Sequence, residues 1–470
     1  MGAAAEPSAE ELGFRLRGGL YEPGDAEYED ACTLFNSMIE RRPRLVARCS
    51  APEDVVAALA FGRERGLPIA VRGGGHSVTG RSLCDDGLVL DLRGMRDVEV
   101  DPLRRVARVG GGATWADVDR ATGAHGLATT GGRVSTTGVA GLTMGGGSGW
   151  LERKHGLACD NLLAAQLVTA GGEIVRAAED ENPELLWALR GGGGNFGVVT
   201  ALELALHPIE SQVLGGLVLH PAERGPELLR LFRDLIANAP EELGLAFAFI
   251  TAPDEADVPA ELRGQPAVIV AGMYAGPVAE GEAALRELRA FGPPAADYFE
   301  PTTYAEFNRS LDDPPGYRNY WTAEHLAELT DEAIEAIARR SAEIPASPSQ
   351  LFIVPWGGAL TRVDPTSSPL AGRQAAFVVH PLLLWEDEAD DARMIALGRA
   401  YRDDLAPFST GAAYLNFLGD EGEARVRAGF GEENYRRLAA VKERWDPDGV
   451  FHGNQSLADG GTCPSPGASV

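Results

Sequence analysis

Lysine is almost missing from this chain. Lys154 and Lys442 are the only two in 470 residues, so nearly all positive charge is arginine, a bias that points to codon usage or heat adaptation rather than to function. Positive charge of any kind is scarce: 42 Lys and Arg face 69 Asp and Glu, a formal net charge of −27. Such a surface repels phosphate backbones and anionic lipid, which excludes nucleic acid and membrane surfaces as partners. Cysteine is also scarce. The five (Cys32, Cys49, Cys84, Cys159, Cys463) are odd in number and far apart, and C-x-x-C does not occur, so neither a zinc site nor a redox dithiol is expected. No apolar run reaches the roughly 18 residues of a membrane span. Met1–Glu10 has neither a basic segment nor an apolar stretch, so no secretory leader is expected and a reducing cytoplasm is the simplest location. Walker, H-E-x-x-H, G-x-S-x-G and EF-hand patterns are missing as well.

Glycine is abundant and unevenly placed. Of 58 glycines, 34 fall in the first 200 residues. Glycine costs entropy inside regular elements, so this density suggests backbone that approaches a ligand closely. Three runs stand out: Arg72–Gly80 (RGGGHSVTG), Gly131–Trp150, and Arg190–Gly197 (RGGGGNFG). In the first, a short apolar strand at Pro68–Val71 feeds Gly73, Gly74 and Gly75, whose bare N–H groups form a nest for a pyrophosphate. Ser77 and Thr79 add hydroxyls. Gly192, Gly194 and Gly197 match G-x-G-x-x-G, but a helix (Leu185–Leu189) precedes them and a strand (Val198–Leu206) follows. A dinucleotide fingerprint needs the reverse order, so a Rossmann site is rejected.

The chain is long enough for roughly three domain-lengths. Its first half reads as mixed α/β. A helix is expected at Asp54–Arg65 behind Ser50-Ala51-Pro52-Glu53 and another at Trp115–Thr122. Short strands are expected at Leu88–Leu92, Val98–Val100 and Val106–Val109, with a hairpin from Leu162–Thr169 to Glu173–Arg176. Beyond residue 208 glycine thins. Helices are expected at Glu223–Ala237, Glu280–Phe291 and Thr330–Glu343. Strands are expected at Leu245–Ile250, Ala267–Ala271, Leu351–Val354 and Ala375–Trp385, which together suggest an antiparallel sheet backed by helices. A strand at Tyr414–Phe417 and a helix at Glu432–Glu443 close the chain. The Gly-, Pro- and Ser-rich tail 458–470 is expected to be disordered. By residue chemistry alone this is an α/β protein for an extended, phosphate-bearing ligand.

The glycine runs, together with Gly156–Asn161, Glu181–Thr200, Tyr414-Leu415-Asn416 and Arg436–Gln455, follow one another as they do in a known superfamily. The chain resembles the vanillyl-alcohol-oxidase/p-cresol-methylhydroxylase flavoproteins, and within them the berberine-bridge-enzyme-like branch in its bacterial form. The resemblance implies an α+β fold. It places a PCMH-type FAD-binding domain of two small α/β subdomains at 1–208 and a substrate domain at 209–410. A C-terminal segment at 411–457 then completes the FAD domain.

The resemblance implies FAD as cofactor and no metal. Arg72, Gly73, Gly74, Gly75, Ser77 and Gly80 would surround the pyrophosphate. Val134, Thr137, Gly138, Gly141, Gly145, Gly146, Gly149 and Trp150 would line the cofactor from the second run, with Asp160, Asn161, Val199, Asn454 and Gln455 beside it. His76 falls on the histidine that bonds covalently to the flavin 8α-methyl. Relatives often carry a second tether through cysteine. Val134 occupies that position here, so a single bond through His76 is expected. Thr137 falls where relatives gate oxygen.

The implied chemistry is hydride transfer from an alcohol of a small organic substrate to flavin, with oxygen reduced to hydrogen peroxide. It calls for a base and for groups that orient the substrate. Tyr414 is the expected base. Asn416, two residues on and on the same face of the expected strand, would orient the phenol or the substrate. His380 is a third candidate whose role the sequence leaves open. A dehydrogenase with another acceptor and a flavin-binding protein without turnover remain alternatives. A monomer or homodimer is expected. Of the aromatic residues Tyr304, Phe307, Tyr317, Tyr320, Trp321 and Trp356, most are expected in the core.

Overall fold

The structure is a computed structural model that describes residues 8–345, 348–452 and 457. Asn454, Gln455 and the tail 458–470 lie outside the described residues.

Two main sheets and a two-stranded ribbon, Leu127–Ala128 with His207–Pro208, occupy the first 208 residues. The smaller contains Leu20–Tyr21, Leu45–Arg48, Leu88–Asp91 and Ile69–Arg72 in that spatial order, the last three parallel. Parallel strands are buried on both faces and read as unbroken apolar runs, as Leu88, Val89 and Leu90 do at 0 % exposure. The crossover between Leu45–Arg48 and Ile69–Arg72 is the helix Pro52–Glu64. It starts with proline and acidic residues in its first turn, as its sequence demands, and buries Val55, Ala58 and Leu59. The larger sheet is antiparallel, in the order Val98–Asp101, Val106–Gly110, Val198–Ala205, Leu162–Val168, Ile174–Ala178. The 162–168/174–178 hairpin is the one expected. Helix Pro183–Leu189 precedes the glycine run and strand Val198–Ala205 follows it, the order that excludes a Rossmann turn.

Residues 213–385 form a nine-stranded antiparallel sheet. Its strands alternate cleanly. Val218, Val268, Val270, Leu351, Ile353, Val379 and Leu383 face the core built by helices Gly225–Asn238, Asp331–Ser341 and Asp391–Leu405. Leu217, Leu219, Ile269, Ala271, Gln350, Phe352, His380 and Leu382 face the other way, into a cavity. The terminal helix Glu432–Trp445 returns to the first half, burying Leu438 in the same core as Leu185 and Phe196. Lys442 anchors it, its ammonium donating to the Asn195 carbonyl at 2.8 Å and to Asp446 and the Phe451 carbonyl.

Several elements differ from expectation. The helix expected at Glu280–Phe291 is two short ones, Val278–Ala284 and Arg286–Arg289. The strand Val213–Pro221 was hidden by Gly215 and Gly216, residues that normally punctuate strands. They are needed here because a Cβ on Gly216 would lie 2.3 Å from the Tyr298 carbonyl, and one on Gly215 would lie 2.8 Å from the Phe307 ring. Helix Asp391–Leu405 was hidden by a narrow apolar stripe, chiefly Met394, Tyr401 and Leu405, within a charged sequence. Tyr414–Phe417 is not a strand: Leu415–Phe417 is a single 3₁₀ turn and Tyr414 precedes it in extended conformation.

Candidate active site

One cavity of about 1430 Å³ runs between the glycine-rich loops and the open face of the nine-stranded sheet. Single-ligand pockets hold roughly 300–1,000 Å³, so there is room for a large cofactor and a substrate together. One wall is bare backbone: Gly73, Gly74, Gly75, Gly132, Gly138, Gly141, Gly145, Gly191, Gly193, Gly194 and Gly197 border it. Gly74 and Gly138 press the first two loops together. A Cβ on Gly74 would sit 2.3 Å from the Gly138 nitrogen, and one on Gly138 would sit 2.4 Å from the Gly74 nitrogen. At Gly141 a Cβ would meet nothing within 4 Å, so this backbone faces open space. Ser77 and Arg81 add polar groups to the same wall. Exposed amide backbone, a hydroxyl and a guanidinium along an elongated cavity fit an extended pyrophosphate-bearing cofactor such as FAD.

His76 borders this cavity. Its ring stacks on Phe35 with centroids 4.3 Å apart. Thr136 Oγ1 lies 3.0 Å from Nε2 and Thr137 Oγ1 lies 3.4 Å from Nδ1. Burial lowers its pKa to about 4, so the imidazole is neutral at physiological pH and keeps a nucleophilic lone pair. Val134, Thr137, Trp150 and Val199 border the cavity too. No described cysteine does. Cys84 and Cys159 are buried elsewhere.

Other expected cofactor contacts are placed away from the cavity. Arg72 points backward: its guanidinium donates to the Asp30, Ala31 and Thr33 carbonyls, closing the end of helix Ala26–Cys32. Gly80 packs on Ile39 at a positive φ. Gly146 backs onto the Tyr414 ring and Gly149 onto the Gly131 carbonyl, where a Cβ would come within 1.7 Å. Asp160 is paired with Arg373 at 2.7 Å. Asn161 donates to the His155 and Leu157 carbonyls and accepts from His207. These six residues shape the loops that carry the wall; none borders the cavity.

The catalytic candidates separate in the same way. His380 is 3 % exposed and borders the cavity. Its Nδ1 is 2.8 Å from the Thr322 carbonyl. A carbonyl only accepts, so the proton sits on Nδ1 and Nε2 holds the lone pair. The ring lies flat on Phe417, centroids 4.2 Å apart, with Trp321 edge-on. Burial lowers the pKa to about 4, which keeps the base neutral. Asn416 also borders the cavity; its Nδ2 donates to the Leu142 carbonyl at 3.0 Å and to the Tyr414 oxygen at 3.3 Å. Tyr414 does not border it. Its oxygen accepts from the backbone N–H groups of Gly147 and Ser148, both at 2.7 Å. Burial pushes its pKa well above the usual phenol value, against the donors that favour phenolate. The strand geometry that was to aim Tyr414 and Asn416 together does not exist; a 3₁₀ turn directs the asparagine to the cavity and leaves the phenol behind the glycine loop.

Of the aromatic residues, Phe307, Tyr317 and Trp321 border the cavity, whereas Tyr304, Tyr320 and Trp356 do not. Sequence reading missed Arg81, Arg133, Asp312, Asp313, Gln350 and Phe352, which also border it. They lie on four separate segments, and no local pattern marks them.

Residues 43–178 match a family model described as an FAD binding domain, and residues 413–458 match one described as berberine and berberine like. The (R)-6-hydroxynicotine oxidase of Paenarthrobacter nicotinovorans is 30 % identical over 94 % of this chain and 97 % of its own length. The crystal structure of 6-hydroxy-D-nicotine oxidase from Arthrobacter nicotinovorans superposes with a TM-score of 0.84 at 29 % identity, covering 94 % of this chain and 98 % of that one. The berberine-bridge-enzyme-like protein 1 of Physcomitrella patens has the same fold, with a TM-score of 0.86 at 23 % identity over 96 % and 99 % of the two chains. A glycine-walled FAD cavity in an α+β fold, closed by the terminal segment and shared with these relatives along almost the whole length, makes this chain a member of the FAD-linked oxidoreductases of the berberine-bridge-enzyme-like family.

Proposed function

We propose that this protein is an oxidase that carries FAD on one covalent bond at His76 and oxidises an alcohol group of a small organic substrate. Bound flavin supplies the hydride acceptor, and oxygen takes the electrons onward to hydrogen peroxide. The residues supply binding, orientation and proton management. The observation that carries this reading is the pairing, in one cavity, of a neutral His76 on the glycine wall and a neutral His380 on the substrate sheet. His76 has the lone pair that attack on the 8α carbon needs. Valine at position 134 and the remote cysteines support a single tether.

His380 accepts the hydroxyl proton at Nε2. Its Nδ1–H donates to Thr322 and fixes the ring plane, so the lone pair stays aimed at the cavity while Phe417 holds one ring face. Asn416 borders the reacting space, and Tyr414 holds the glycine loop in place behind it. The apolar sheet face of Leu217, Leu219, Ile269 and Phe352 excludes water from the substrate. The name of the 30 %-identical relative, an oxidase, supports oxygen as the acceptor.

The test has two parts. His76→Ala protein precipitated in acid should be colourless, while wild-type protein stays yellow; equal colour in both would remove the covalent bond. His380→Asn should slow anaerobic flavin reduction by about 10²–10⁴-fold, the usual contribution of a general base. A near-wild-type rate would remove His380 from the chemistry.

A further inference from the structure

The substrate end of the cavity has an unbalanced charge. Asp312 and Asp313 border it, on the segment after helix Tyr304–Ser310. The nearby cation is already committed: Arg133 donates to Ser148 and Glu152, both at 2.8 Å, and lies over the Trp150 ring. Asp312 is committed as well. Its two oxygens accept the Ser135 N–H and, at 2.6 Å, the Ser135 hydroxyl. Asp313 is different. It accepts one hydrogen bond, from Gln350 Nε2 at 3.2 Å, and has no ion-pair partner among the described residues. Burial, and then the charge of Asp312, raise its pKa to about 7. Asp313 is half-buried, and a carboxylate partly withdrawn from water without a counter-charge is stabilised by a cationic ligand.

A second group points to a ligand in the same space. His380 Nε2, on a ring 97 % buried by its 3 % exposure, has no hydrogen-bond partner among the described residues. Strand pairing fixes the relation between the two groups. Phe352 is registered opposite His380 and Gln350 opposite Leu382, so Gln350 and His380 are diagonal neighbours on the cavity face. Diagonal positions are about 7–8 Å apart. A metal ion is not the complement: no group of His, Cys, Asp or Glu that could hold one occurs among the described residues.

We propose that Asp313, steadied by Gln350, binds a protonated amine on the substrate. The substrate is then an amino alcohol whose ammonium group lies about one aromatic ring away from the carbon that is oxidised. This rests on reading the cavity as the site of alcohol oxidation.

The test compares 4-(aminomethyl)benzyl alcohol with its neutral isostere, 4-ethylbenzyl alcohol. Both are titrated calorimetrically at pH 8 into holoenzyme reduced with dithionite, which binds without turning over. A charge-assisted hydrogen bond contributes about 1.5–3 kcal/mol, so the amine should bind about tenfold or more tightly than the isostere. Asp313→Asn should bring the two within about twofold of each other by weakening the amine alone. Asp313→Glu should restore part of the preference. Equal affinities in wild type would overturn the cation assignment without any variant being needed. A preference that survives in correctly folded, flavin-loaded Asp313→Asn would overturn the role of Asp313. If the preference is present but neither alcohol reduces flavin in the oxidised enzyme, the reading as an alcohol oxidase fails while the cation site stands.

Discussion

Replacing Tyr414 by phenylalanine removes one oxygen and separates two accounts of this residue. If the phenol is the base, the variant folds normally and loses chemistry. If it is a brace for the glycine loop, the variant keeps chemistry and loses stability. The structure favours the brace. The oxygen accepts from two backbone N–H groups at 2.7 Å, and both Gly147 and Ser148 are buried. Phenylalanine leaves these donors without a partner. Each unsatisfied buried donor costs about 1–3 kcal/mol, so the variant should lose about 2–6 kcal/mol. The Asn416 amide also loses an acceptor, though it keeps the Leu142 carbonyl. With a urea slope of about 3 kcal/mol/M or more for a chain of this size, the unfolding midpoint should fall by about 1 M. The assay pairs urea unfolding, followed by tryptophan fluorescence, with anaerobic flavin reduction in a stopped-flow instrument. Flavin reduction should stay within about tenfold of wild type, because the base proposed above, His380, worth about 10²–10⁴-fold, is untouched. A wild-type midpoint combined with a hundredfold or greater loss of flavin reduction would refute this reasoning and make the phenol the base.

Other outcomes follow from the same geometry. Gly74→Ala forces a Cβ to within 2.3 Å of the Gly138 nitrogen. Neither backbone can yield cheaply, so the two loops should separate and flavin content per polypeptide, read from the visible absorbance ratio, should fall severalfold. His325 is fully buried, and neither ring nitrogen has a hydrogen-bond partner. Burial lowers its pKa to about 4 from the ordinary 6.5. The unfolded chain therefore takes up a proton first as pH falls, and the associated stability, present in full above pH 6.5, is lost as pH drops through about 4, at about 3 kcal/mol in total. His325→Leu should shift the acid-unfolding midpoint to lower pH, and an unchanged midpoint would show that this histidine titrates normally.

Much of the cofactor side could be read from the order of residues, because close approach of backbone to a phosphate-bearing ligand requires glycine and clusters it locally. Gly73, Gly74, Gly75, Gly138 and Gly141 border the cavity, and His76 stands among them. The rejected dinucleotide fingerprint was legible for a related reason: helix and strand periodicity fix the order of elements on either side of Gly192–Gly197. The strands at Leu351–Val354 and Ala375–Trp385 were legible as strands, but that Phe352, His380 and Leu382 turn to the cavity was settled by the helices packed on the opposite face. What local pattern could not say was where long side chains point. Arg72 and Asp160 sit inside cofactor motifs yet turn to the Ala26–Cys32 helix end and to Arg373, partners 39–42 and 213 residues away in sequence. The placements of Tyr414 and His380 depend on the same kind of distant contact. A 3₁₀ turn at Leu415–Phe417 places one behind the Gly145–Ser148 loop, and pairing between Gln350–Pro355 and Phe377–Trp385 places the other on the cavity wall. Local sequence sets backbone propensity and spacing. Which buried hydroxyl, carboxylate or imidazole is left without a protein partner depends on every element packed around it, and only the assembled fold supplies those neighbours.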